Sequence, residues 1–91
     1  MKSTNKFVIF REEKDEFLYS VIKRKNARML GWGPRPTAAF NYNSSIEAKQ
    51  VAQRISNNKG YSLIVCELDE SDTQIALKLS AKVSPKLNRV R

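Results

Sequence analysis

The strongest constraint on the fold is a single helix signal in the middle of the chain. Ser44 and Glu47 have the capping-box spacing, in which the serine hydroxyl accepts from a first-turn amide and the glutamate reaches back. Apolar residues then recur at i, i+3, i+4 and i+7, and Lys59 with Gly60 supplies a C-terminal cation and cap. This pattern predicts a helix over about 45–58 with one apolar stripe. The stripe consists of Ala48, Val51, Ala52 and Ile55.

The segments on both sides of this helix have the composition of strands. Residues 7–11 and 17–23 are rich in aromatic and β-branched side chains and predict a hairpin. Residues 27–30 either continue the second strand or form a third one, and residues 61–68 predict a central strand. The sequence therefore predicts an α+β fold, in which an antiparallel sheet of about four or five strands carries one helix on one face.

The segment 73–83 supports two interpretations. Apolar residues alternate there with polar or small ones, which favours a strand with one solvent-exposed face. Its alanines, leucines and lysines also favour a helix, which Ser71 or Asp72 would cap. We prefer the strand and keep the helix as the alternative. The alternating apolar residues are Ile75, Leu77, Leu79, Ala81 and Val83.

The remaining segments are predicted to be connections. Eight of the nine acidic residues fall in 12–16 and 67–72, and each stretch separates two β-rich segments, so both are predicted to be turns. Residues 31–36 contain two glycines and two prolines and predict a loop. Residues 37–40 are predicted to be a short extended piece that rejoins the sheet.

The predicted core lies between the sheet and the helix stripe. Its candidates are apolar residues of the predicted strands, or the residues that alternate with them. They are Phe7, Ile9, Phe17, Tyr19, Val21, Phe40, Leu63 and Val65.

Length and composition limit both the size of the protein and its chemistry. Ninety-one residues, 41% of them hydrophobic, fit one globular domain, which we assign to 1–83, with 84–91 as a flexible basic tail. The chain has no histidine and one cysteine, so a disulfide framework, a Cys/His zinc site and histidine-based catalysis are excluded. The paired carboxylates lie in predicted turns, where water screens them, and Cys66 is predicted to be a buried strand residue. We expect no enzymatic activity, no cofactor and no metal.

The hydropathy pattern predicts a cytoplasmic protein without membrane contact. The longest apolar run, 63–66, is far shorter than the roughly 20 residues that cross a bilayer. The apolar run 7–10 is too short for the core of a secretory signal.

Positive charge is the most unusual property of the sequence. The formal net charge is +8, and residues 23–35 contain five cations, no acid and the only tryptophan. Cations attract phosphates by releasing counterions, and an exposed indole offers a stacking face or an anchor for a protein pocket. The predicted binding residues are Lys23, Arg24, Lys25, Arg28, Trp32 and Arg35, with Lys82, Lys86, Arg89 and Arg91 near the C-terminus as a secondary set.

Each of these features has a structural alternative. Trp32 could cap an exposed edge of a small core, and alternation would send the side chains of Lys23 and Arg24 to opposite faces of a strand. The cations of 23–35 could serve only to solubilise the surface. The basic tail could be an inert terminus.

The order of these elements resembles that of short phage and mobile-element proteins. Ala39-Phe40, a polar spacer, Ser44 or Ser45 and then Glu47-Ala48 follow the opening hairpin. Some small proteins with this arrangement inhibit host defence, including anti-CRISPR proteins. The stretch from Phe40 to Glu47-Ala48 is also similar to the arm-type DNA-binding domains of phage integrases, in which a three-stranded sheet enters the major groove.

Three hypotheses about function follow. The preferred one is a non-enzymatic inhibitor or adaptor that docks on a host protein or ribonucleoprotein complex, with Trp32 as its anchor and Arg28 and Arg35 around it. The second is a domain that binds DNA or RNA directly through 23–35 and the C-terminal cations. The third is a structural subunit that buries the second face of its sheet in an oligomer, with strand 73–83 paired edge to edge with that of a second copy. The protein is expected to be a monomer or a homodimer.

Overall fold

A five-stranded antiparallel sheet carries one helix on one of its faces, which confirms the predicted fold class. The computed structural model describes residues 6–24, 27–71 and 74–85. Its strands follow the order β3-β2-β1-β4-β5 across the sheet. The elements are β1 (Lys6–Arg11), β2 (Glu16–Arg24), β3 (Ala27–Gly33), a 3-10 turn (Pro36–Ala38), α1 (Ser45–Lys59), β4 (Leu63–Ser71) and β5 (Gln74–Val83).

The helix forms where its end signals predicted it. The Ser44 hydroxyl accepts hydrogen bonds from the amides of Ile46 and Glu47, at 3.2 and 3.3 Å. Within the described part of the chain, the Glu47 side chain does not return the second bond of a full capping box. Gly60 ends the helix with φ 81°, a left-handed conformation that glycine adopts without steric cost, and its amide donates to the Ser56 carbonyl.

The helix buries its predicted stripe on β1, β4 and the edge strand β5. Ala48, Ala52 and Ile55 are buried, whereas Val51 lies at the margin of the contact. Small residues on the helix let its backbone approach the sheet closely, and larger apolar residues of the strands fill the space between them. The sheet side of this core consists of Phe7, Ile9, Leu18, Leu63, Val65 and Val83, with Tyr42 from the preceding loop.

The described part of segment 73–83, Gln74–Val83, is a strand, but its apolar residues do not share one face. The ladder between β4 and β5 pairs Val65 with Ala81 and then Cys66 with Leu79, so Ser80 is the extra residue of a β-bulge. A bulge shifts the alternation by one residue, which reverses the face of every side chain beyond it. Ala81 and Val83 therefore join the core under the helix, whereas Leu77 and Leu79 lie on the opposite face.

The predicted loop at 31–36 begins later than expected, because β3 continues through Gly33. The glycines belong to the strand because they lie close to β2. Gly31 lies against Ser20, and the ring of Tyr19 lies over Gly33. The Tyr19 hydroxyl also accepts a hydrogen bond from the Arg35 amide at 2.8 Å, which fixes the chain as it leaves the strand. These glycines provide close approach between strands rather than a turn.

Two other connections also differ from the predictions. The acidic stretch 12–16 forms the expected turn over 12–15, with Glu16 as the first residue of β2, whereas most of 67–72 belongs to β4, which ends at Ser71. Instead of a wholly extended piece, 37–40 begins in the 3-10 turn and touches the sheet through the Phe40 amide, which donates to the Leu18 carbonyl.

Phe40 was wrongly predicted to be a core residue, since 49% of its surface is exposed. Tyr42 takes its place, because the amides and carbonyls of Tyr42 and Phe7 exchange two hydrogen bonds of 2.8 Å. The ring of Phe40 packs against that of Tyr42, with the centroids 4.8 Å apart. In an extended chain, residues i and i+2 lie on the same face, so Phe40 and Tyr42 were equivalent core candidates by hydropathy alone.

We expect Gly33→Ala to destabilise the protein by about 1–3 kcal/mol, because its new methyl group would fall on the Tyr19 ring. Gly31→Ala is the matched control. Its methyl group would meet only the Ser20 hydroxyl, which can rotate away. Urea unfolding of the two variants measures the difference. A loss in Gly33→Ala no larger than that in Gly31→Ala would contradict the packing of Tyr19 on this strand.

Candidate binding surfaces

The predicted basic residues of 23–28 lie at the end of the hairpin formed by β2 and β3. The backbone register pairs Lys23 with Arg28 and Arg24 with Ala27. Lys25 lies outside the described residues. Two cationic positions of the predicted site are therefore directly opposite each other on neighbouring strands, at the end of the hairpin away from Trp32.

Trp32 is half-buried and packs against the core on the helix side of the sheet. Its ring meets that of Tyr61 edge-on, with centroids 6.0 Å apart. The cation beside it is Arg11, whose guanidinium carbon lies 5.7 Å from the Trp32 ring and 3.6 Å from the Tyr61 ring. We call Arg11, Trp32 and Tyr61 the Arg11 cluster.

The Arg11 side chain is held mainly by its aromatic neighbours. Only 14% of it is exposed, and one guanidinium nitrogen lies 3.4 Å from a carboxylate oxygen of Glu13. Its Nε atom is buried and has no hydrogen-bond partner in the described structure. The methylene chain and the flat guanidinium thus close the core at the C-terminal end of the helix, where cation–π attraction and packing act together.

Arg11 was not among the binding residues predicted from the sequence, although a signal for its position was present. Arg11 has the same strand parity as the core residues Phe7 and Ile9 and therefore faces the helix side. Arg35, which was predicted to lie around Trp32, is exposed and follows β3. Its backbone amide donates a hydrogen bond to the hydroxyl of Tyr19, a residue of the opposite face. Of the secondary set, Lys82 is exposed on β5, and Lys86, Arg89 and Arg91 lie outside the described residues.

Arg11→Ala is expected to destabilise the protein by about 1–2 kcal/mol and to shift Trp32 fluorescence to longer wavelength, because water replaces the guanidinium. Trp32 is the only tryptophan, so the emission reports on this cluster alone. Lys14→Ala, in the exposed turn, removes the same charge and should leave both quantities unchanged. Unchanged emission in Arg11→Ala would contradict the cluster.

The face of the sheet opposite the helix is only partly covered, and we call it the open face. Phe17, Cys66 and Leu68 are buried there beneath neighbouring side chains and Ala39. Towards β5, however, Leu77 and Leu79 are 40% and 59% exposed. Contiguous exposed apolar surface of this kind is typical of interaction sites.

A groove of about 390 Å³ runs over the open face beside these leucines. Its floor is apolar and includes the rings of Phe10 and Phe17, which pack with centroids 4.8 Å apart. Glu12 and Lys82 supply charges of opposite sign at its wall. The full lining is Phe10, Glu12, Phe17, Ile64, Cys66, Leu77, Leu79 and Lys82.

A second exposed apolar pair lies on the hairpin of β2 and β3. Ile22 and Met29 are register partners, and both are about half exposed. Their neighbours Val21 and Leu30 pack towards the helix-side core, so alternation assigns Ile22 and Met29 to the open face. Exposed apolar residues therefore occur near both edges of this face.

The groove contains one nucleophile, Cys66, in an environment that suppresses its reactivity. Burial raises the pKa of its thiol, and the thiolate is the reactive form. Among the described residues, no three Cys, Asp or Glu side chains are grouped so that they could hold a metal ion. The groove is thus chemically suited to contact with apolar side chains.

Comparison of the chain with protein-family models, with curated proteins and with solved structures found no match. In the described part of the chain, no helix has both the length and the apolar character needed to cross a membrane. Any assignment of function therefore depends on the surfaces themselves.

Proposed function

We propose that this chain is a non-enzymatic binding protein of phage or mobile-element type, which docks through its open face on a host complex that handles nucleic acid. It would act there as an inhibitor or adaptor, as the resemblance to anti-defence proteins implies. The observation that carries the proposal is the exposure of Leu77 and Leu79 beside an apolar groove, on the face that the helix leaves uncovered.

The open face supplies affinity in this proposal, and the net charge supplies attraction at longer range. Burying one leucine side chain contributes about 1.5–3 kcal/mol, so a partner that covers this groove gains a substantial apolar contact. A charge of +8 favours encounter with complexes that expose nucleic acid or acidic surface. In this proposal Trp32 has a structural role in the Arg11 cluster, and Leu77 and Leu79 replace it as the residues that anchor the partner.

The same surface supports a role by adhesion rather than catalysis. The thiol of Cys66 is held protonated by burial, and the chain contains no histidine that could activate it. Since a single cysteine has no disulfide partner within the chain, the proposal includes a reducing compartment, the host cytoplasm.

Leu79→Ser tests the proposal, with Ile46→Ser as its matched control. Both side chains are apolar and well exposed, at 59% and 67%, but Ile46 lies on the helix, away from the open face. We expect affinity capture from nuclease-treated host lysate to recover a nucleic-acid-handling protein with the wild type and with Ile46→Ser. Leu79→Ser should lose at least about fivefold, while both variants keep the wild-type stability within about 0.5 kcal/mol.

Equal capture by the two variants would contradict docking through the open face. Capture that disappears with nuclease treatment would also contradict it, because the contact would then depend on nucleic acid. Thermal unfolding of each variant separates a lost contact from a lost fold.

Direct nucleic-acid binding is the second candidate, favoured by the cross-strand pairing of Lys23 with Arg28. It predicts that duplex-DNA affinity falls with salt at a log–log slope of about −0.9 per neutralised phosphate. In the double variant Lys23→Gln, Arg28→Gln, the steepness of this slope should fall by the amount that corresponds to about two neutralised phosphates. The control Lys49→Gln, on the exposed side of the helix, should leave the slope unchanged. Fluorescence anisotropy at several salt concentrations measures both, and salt-independent affinity would exclude this candidate.

A further inference from the structure

The edge of the sheet formed by β5 has properties that indicate what the open face meets. β5 is the last strand of the sheet, and among the described strands it pairs only with β4. Alternate amides and carbonyls along its other side therefore point away from the sheet. Ten residues of β5 present an edge of about 33 Å, long enough for a full strand to pair with it.

The charged residues of β5 itself are cationic, although Glu67 of β4 is the register partner of Lys78. β5 contains Lys78 and Lys82, both exposed, and no acidic residue. Edge lysines and bulges are devices that discourage a sheet edge from pairing with its own copy. Two β5 strands placed side by side would bring lysines together, on molecules that each carry a charge of +8.

The lysines and the bulge account for an edge that does not self-associate, but they do not account for the exposure of two leucines on the same strand. Leu79 lies between the two lysines and Leu77 precedes Lys78, and both leucine side chains are exposed. They adjoin the groove, which an added strand would partly cover with its own side chains. The same strand could pair Asp or Glu with Lys78 on the helix side and with Lys82 on the open face.

We propose that β5 accepts a sixth strand from an acidic partner: an extended segment whose apolar side chains cover Leu77 and Leu79 and whose carboxylates meet Lys78 and Lys82. This inference rests on the proposed function, since it specifies the chemistry of the segment that docks there. Backbone hydrogen bonds would supply affinity, and the positions of the apolar and acidic residues would supply specificity. The bulge at Ser80 interrupts regular pairing after residue 79, so the carboxylate that meets Lys82 lies beyond the interruption.

A strand tethered to the chain itself tests this inference directly. An eight-residue segment, with Val at the positions opposite Leu77 and Leu79 and Glu at the positions opposite Lys78 and Lys82, is joined to the C-terminus of the full chain by a flexible Gly/Ser linker. The tether raises the local concentration of the segment to about the millimolar range, so that even weak pairing is detected. A second fusion carries Lys in place of Glu in the tethered segment. Two further fusions join the Glu segment and the Lys segment, respectively, to the double variant Lys78→Glu, Lys82→Glu.

We expect the Glu segment to slow hydrogen exchange at the outward amides of β5 at least about tenfold on the wild-type chain. The Lys segment should give no protection there but should protect the double variant, on which the Glu segment should fail, because the charges are exchanged. Both lysines are exposed, but Lys78→Glu places a carboxylate opposite Glu67 of β4, so the exchange of amides in β1 verifies that the double variant keeps its fold.

Three results would overturn the inference: no protection of β5 by the Glu segment, equal protection by the Glu and Lys segments, or protection of the untethered chain that rises with its concentration. The last result would identify a second copy as the occupant. The proposed function is judged separately by Leu79→Ser. Loss of capture in that variant without protection of β5 would preserve docking on the face and reject the sixth strand.

Discussion

The width of the sheet relative to the single helix is the constraint on which the rest of the structure depends. Neighbouring strands lie about 4.8 Å apart, so five strands span about 20 Å, whereas a helix with its side chains is about 10 Å wide. One helix therefore covers β1, β4 and the edge strand β5 on one face and nothing of the other face. At the C-terminal end of the helix, the Arg11 cluster continues the cover, with an arginine packed between two aromatic rings.

The β-bulge in β5 determines how the apolar residues are shared between the two faces. Without it, the alternation would send Leu77, Leu79, Ala81 and Val83 to the same side of the sheet. The extra residue, Ser80, gives Ala81 and Val83 to the core and leaves the two leucines on the open face. Part of the apolar content of the strand thus stabilises the fold, and the remainder is available for a partner.

Charge and apolar surface have different roles in the proposed function. Cationic positions paired across β2 and β3 suit attraction to phosphate, whereas the groove beside β5 suits close contact with a protein. Trp32 and its neighbouring arginine combine the residue types of an interaction hot spot, yet they lie against the core. The same residue types therefore stabilise a small domain when they are packed against its core.

The sequence by itself determined the fold class, the helix and most of the strands, because these depend on local signals: Ser44 and Gly60 at the helix ends, the stripe from Ala48 to Ile55, and β-branched runs. Only the tertiary structure decided the continuation of β3 through its glycines, the exchange of Phe40 for Tyr42 in the core, the position of Arg11 and the face of Leu79. Each of these features depends on close approach or register between segments that are distant in the chain. The residue pattern of one strand does not specify its register with the neighbouring strand.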